Sequence, residues 1–127
     1  MTAADLIALA EGVERMTTNE EPRRDTLLEI FRAARPRSSF EQGWQSDDAR
    51  QLFVMMWEAG GCIDAAAMIV PKGWCWATGT AAAAQGGHAF LMGPLPDQEH
   101  VQTDAASPAL ALTAAALRAR AMELTDG

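Results

Sequence analysis

The sequence predicts an α+β fold: a small antiparallel sheet of about three strands, packed against helices as a layered sandwich and closed by a long C-terminal helix. Three observations predict it. Apolar residues recur at helical spacing through the first sixty positions and again after Ser107. Between those regions, Pro71-Lys72-Gly73 and Gly93-Pro94-Leu95-Pro96 bracket short runs rich in apolar and aromatic side chains, as turns bracket strands. A chain of 127 residues with 49% hydrophobic content suits one domain with one core. Within that single domain, 1–127, residues 1–60 form a helical part. Residues 62–124 form a helix–strand–strand–strand–helix unit.

Thr2 is placed to cap the first helix, with Asp5 three positions on and Leu6, Leu9, Ala10, Val13 and Met16 as its apolar stripe. A second helix is expected from Glu20 or Glu21, with Pro22 in its first turn, a stripe of Leu27, Ile30, Phe31 and Ala34, and a stop at Pro36. Pro36 to Gln45 reads as a loop whose Phe40 and Trp44 plug the core edge or, if exposed, anchor an interface. Ser46 then opens a helix with Ala49, Leu52, Phe53, Met56 and Trp57 on one face. Gln51–Trp57 also reads as a short apolar strand, and the helical spacing is preferred.

Gly60-Gly61 breaks the chain, and Ile63–Val70 forms a short helix. Trp74–Thr78 is the first strand, with both indoles on one face and directed to the core. His88–Met92 is the second strand and Glu99–Thr103 a weak third. Ser107 caps the last helix, Pro108 takes its first position, and the helix runs to about Leu124. Leu110, Ala114, Leu117, Ala121 and Leu124 line its packing face.

The formal net charge is −7 and the pI about 4.7. Seven bases against ten acids leave the first fifty residues near −3; three bases against seven acids leave the rest near −4. Binding a phosphate backbone needs a basic surface that releases counterions, so direct nucleic-acid binding is disfavoured. A protein partner with a basic groove is the complementary expectation. No apolar run approaches a membrane span, no secretory leader is evident, and Cys62 and Cys75 follow no metal or redox spacing. A bacterial cytoplasm with reduced thiols is the expected setting.

Catalytic chemistry finds little support. His88 and His100 fall in adjacent strands and could face each other across a hairpin. With Cys62 and Cys75 they would offer zinc ligands, but their spacings are unlike the short pairs of zinc sites. Each cysteine sits in an apolar stretch typical of inert buried thiols. Asp97, Glu99 and Asp104 make an acidic cluster without a calcium-loop pattern. The glycines between Gly79 and Gly87 lack the lysine and hydroxyl of a phosphate loop. No catalytic residue, metal or cofactor is therefore expected.

One set of motifs carries a resemblance. Ile63-Asp64-Ala65-Ala66 leads into Val70-Pro71-Lys72-Gly73-Trp74 and Trp76. Ala89-Phe90 follows, then Ser107-Pro108-Ala109-Leu110-Ala111-Leu112 with its Ala- and Arg-rich continuation to Arg120. In this order, over residues 62–121, they resemble the phage ABA-sandwich domain family, and Leu6–Glu11 resembles the opening helix of such proteins. The resemblance implies a phage or prophage origin and an α/β/α layering about a small antiparallel sheet. It carries no functional residues. Ala81–Ala84 and Lys72, where the pattern has an acidic residue, depart from it.

The expected function is a small, acidic, non-enzymatic binding protein from a phage or prophage. Its sharpest form is an anti-CRISPR-like inhibitor of a host nucleic-acid-targeting defence complex. Asp97, Glu99 and Asp104 are the candidate acidic contacts. Trp44 and Trp57, with the Ala-rich C-terminal helix, are candidates for a two-fold interface in the alternative reading, a self-associating accessory or structural protein.

Overall fold

The computed structural model describes residues 2–16, 24–34, 46–58, 62–80, 86–94 and 98–126. In chain order these form α1 (Ala3–Glu14), α2 (Arg24–Ala34), α3 (Ser46–Glu58), α4 (Cys62–Met68), β1 (Cys75–Thr80), β2 (Gly87–Met92), β3 (His100–Ala105) and α5 (Pro108–Asp126). The predicted α+β class is the one observed. Each strand lies within two residues of its expected bounds. Residues 46–58 are helix rather than strand.

Two hydroxyl caps set the first and last helices. The Asp5 amide donates to the Thr2 side chain at 3.2 Å, and the Thr2 amide donates back to the Asp5 carboxylate at 3.0 Å. This reciprocal box satisfies two amides that the first turn of a helix leaves without partners. At α5 the Leu110 amide donates to Ser107 Oγ at 3.2 Å, and Pro108 occupies a position whose missing N–H costs nothing.

The three strands pair antiparallel in the order β1-β2-β3. The register sets Ala77 opposite Phe90, Phe90 opposite Gln102 and His88 opposite Asp104. Burial alternates along β2 and β3, so Ala89, Leu91, Val101 and Thr103 point to one covered face. That face lies on α5: the Thr103 hydroxyl donates to the Ala111 carbonyl at 2.6 Å, and Thr78 donates to the Pro108 carbonyl at 2.9 Å.

α5 is the centre of the molecule. It packs on all three strands at one side and on α1, α4 and α2 elsewhere, while α3 packs on α2 and α4. Ala109 through Leu117 are buried without interruption. A helix covered all round must be apolar all round, and its alanines let neighbouring backbones approach closely. The expected single packing face is therefore too narrow for this helix. At its far end Leu124 is 49% exposed and leaves the core, contrary to expectation.

The layering also differs from α/β/α. Among the described residues the sheet is an outer layer, with helices stacked behind one face only. Its second face presents Cys75, Ala77, His88, Phe90, Met92, His100, Gln102 and Asp104, all exposed or half-exposed. α5 fills the middle layer because it is the segment whose every side can be buried.

Two glycines are required, one by close approach and one by its backbone angle. A Cβ on Gly87 would lie 2.1 Å from the Pro108 nitrogen, where β2 starts against the first turn of α5. Gly73 has a φ of +88°, which the turn into β1 requires and side-chain-bearing residues resist.

Candidate partner-binding surface

Of the acidic candidates, Glu99 and Asp104 do not lie together. Asp104 lies near the end of β3, exposed on the open face, and accepts a hydrogen bond from His88 Nδ1 across the hairpin at 2.8 Å. Glu99 stands just before the start of β3 and is half-buried; its carbonyl accepts from the Gly93 amide at 2.7 Å. An extended strand of that length holds the two roughly 17 Å apart. The strand between them is what splits the expected cluster. Asp97 lies outside the described residues.

The aromatic candidates fare differently again. Trp44 lies outside the described residues. Trp57 is 6% exposed and packs against Phe53, with ring centroids 6.1 Å apart, in the core of α3. It is a core residue, because helical spacing puts it on the same buried side as Phe53. Trp57 therefore offers little exposed surface for the two-fold interface expected of it, and α5 is buried from Ala109 to Leu117.

Among the described side chains, two of the positive groups are engaged internally. Arg118 Nε and a terminal nitrogen donate to the two oxygens of Glu14 at 2.8 and 2.7 Å, a fork that raises the arginine pKa further above its ordinary value. Arg120 Nε donates to the Ile69 carbonyl at 2.7 Å. Both guanidiniums are half-buried and turned to internal acceptors. By contrast Asp5, Glu11, Asp25, Glu29, Glu58, Asp64, Asp104 and Glu123 are exposed. Among the bases with described side chains, the exposed ones are Arg15, Arg32 and Lys72.

The register settles the arrangement of the histidines. His88 is opposite Asp104 and His100 is opposite Met92, at the two ends of the hairpin. His100 meets the edge of Phe90 instead, with centroids 5.2 Å apart. Cys62 is half-buried on α4 and donates to the Trp57 carbonyl at 3.4 Å. Cys75 is exposed at the start of β1, which corrects its reading as a buried thiol. Among the described residues no group of three or more His, Cys, Asp or Glu is placed to hold a metal ion. A shallow cleft of about 330 Å³ lies between α1, β3 and α5, lined by Ile7, His100, Arg118 and Met122 among others. Its one charged lining group is already engaged by Glu14.

The feature least expected from the sequence is β1. Its side chains are exposed along its length except for half-buried Thr78, and Trp76 is 42% exposed. Trp74 packs partly on the core and donates from its indole to Glu123 at 3.3 Å. The paired indoles thus contribute less to the core than their spacing suggested. No Asp, Glu, Lys or Arg occurs between Lys72 and Asp97, a neutrality that exposed β1 shares with the largely covered β2 and that does not by itself mark exposure.

Comparison with protein-family models, with curated proteins and with solved structures finds no match. No helix among the described residues is long and apolar enough to cross a membrane.

Proposed function

We propose that this chain is a phage- or prophage-encoded binding protein that inhibits a host nucleic-acid-targeting complex by occupying a basic groove. The observation that carries this reading is the disposition of charge. Arg118 and Arg120 are turned to internal acceptors, so among the described side chains of the C-terminal half the fully exposed charges are Asp64, Asp104 and Glu123 against Lys72 alone. A negative, folded surface competes with nucleic acid for a basic channel by the same Coulombic attraction that holds the nucleic acid there. The phage setting rests on the ordered motifs of residues 62–121. Nothing in the reading requires a reacting group: the proposed role is met by shape and charge.

The test uses a purified RNA-guided nuclease complex and a phage plaque assay on a host that carries it. The chain is expected to block target cleavage and restore plaques. Asp104→Lys together with Glu123→Lys is expected to weaken inhibition, and rising salt to weaken it further. Undiminished cleavage at every chain concentration, with no plaque rescue, would refute the reading.

A further inference from the structure

Among the described residues β1 is an edge strand without charge, a surface of a different kind from the acidic one. A strand at the edge of a sheet presents unpaired N–H and C=O groups, and folded proteins ordinarily guard such edges with charges, proline or a bulge. The two edges of this sheet differ in that respect. β3 carries the charged Asp104 on its exposed face, with Glu99 just ahead of it. β1, Cys-Trp-Ala-Thr-Gly-Thr, has no charge and no proline, and pairs residue for residue with β2 without a bulge. It is also the most exposed strand, and a Cβ on Gly79 would meet nothing within 4 Å.

We infer that β1 pairs antiparallel with β1 of a second copy about a two-fold axis, joining two three-stranded sheets into one of six strands. Charge selects a second copy over a basic partner. Two chains of −7 each repel wherever their acidic surfaces meet, and the run from Lys72 to Asp97 lacks Asp, Glu, Lys and Arg. A basic partner gains no attraction from an uncharged strand and is drawn to the acids elsewhere. An antiparallel edge is moreover complementary to itself under two-fold rotation, as an isologous interface requires. Residues of equal parity then face one another, so both copies of Trp76 lie on the helix side and both copies of Ala77 on the open side. The half-exposed indole loses its exposed surface there, and the row of unpaired backbone groups gains partners.

Sedimentation equilibrium of the full chain over a wide concentration range tests this. The native chain is expected to sediment as a dimer. Ala77→Lys sets like charges across the axis and is expected to raise the dimer dissociation constant roughly tenfold or more, with the circular dichroism spectrum unchanged. Thr80→Lys, at the end of the strand, is the second variant should Ala77→Lys misfold. Gln102→Lys, on the other edge, is expected to remain dimeric. A native chain that stays monomeric at every concentration overturns the inference. So does a dimer that folded β1 variants leave intact, or one that Gln102→Lys disrupts.

Discussion

Arg118 on α5 grips Glu14 on α1 through two parallel hydrogen bonds of 2.8 and 2.7 Å, joining residues 104 positions apart in the chain. The fork fixes the outer helix on the central one at a point where both side chains are partly buried. Arg118→Met keeps the packing of the stem and removes the fork. After allowance for partial exposure it is expected to cost about 1 kcal/mol in urea unfolding. Arg118→Lys should recover part of that loss, since an ammonium cannot engage both oxygens in the same plane.

Gly87 and Gly12 give opposite results for the same substitution. Gly87→Ala drives a Cβ into the Pro108 backbone, so β2 and α5 must move apart, at a cost of about 3 kcal/mol. Gly12 lies exposed inside α1, and an added methyl there would meet nothing within 4 Å, so Gly12→Ala should stabilise by about 0.5–1 kcal/mol. Thermal unfolding of the two variants side by side checks both signs.

Two buried threonines separate a tertiary hydrogen bond from a local one. Thr103 joins β3 to the Ala111 carbonyl of α5, whereas Thr113 donates within α5 to Ala109 at 2.8 Å. Thr103→Val is expected to cost about 1 kcal/mol, and Thr113→Val less than half of that, because the back-bond inside a helix contributes little. Equal losses in chemical denaturation would show that the strand–helix bond has no special weight.

The capping box makes the start of α1 sensitive to acid. The backbone and side-chain hydrogen bonds from Thr2 hold the Asp5 carboxyl below its ordinary value of 3.8. A lowered folded pKa contributes stability above the unfolded value, which is lost as pH falls through the folded one. Amide exchange in the first turn of α1 should therefore accelerate relative to the rest of the helix below about pH 4. Asp5→Ala, which removes the titrating carboxylate, should abolish that step, whereas Thr2→Ala keeps the backbone donor and should only lessen it while costing about 1 kcal/mol at neutral pH.

Local rules made much of the fold legible. The hydroxyl caps at Thr2 and Ser107, the Pro71–Gly73 turn, the stripe of α1 and Leu27, Ile30 and Phe31 of α2 follow from short-range chemistry, and the structure has them. The position of α5 was not legible, since an alanine-rich helix reads the same with one side covered as with all sides covered. Trp57 carries the same ambiguity: a large apolar side chain suits a core or an interface, and only the packing of α3 on α2 and α4 decides. Glu99 and Asp104 are set apart because closeness in sequence becomes separation along an extended strand. The exposure of β1 was not legible either, because the same uncharged stretch after Lys72 also contains β2, which alternates buried and half-buried residues.

Under the proposed function this protein occupies a basic site with its acidic surface and turns nothing over. Titrating the purified chain into a fixed amount of RNA-guided nuclease complex, with residual target cleavage as the readout, tests it most directly. Inhibition is predicted to reach its limit at about one chain per groove, to be independent of preincubation time once bound, and to weaken as salt rises. Progressive inactivation by substoichiometric chain, continuing with time, would contradict the account, as would cleavage that no amount of the chain reduces.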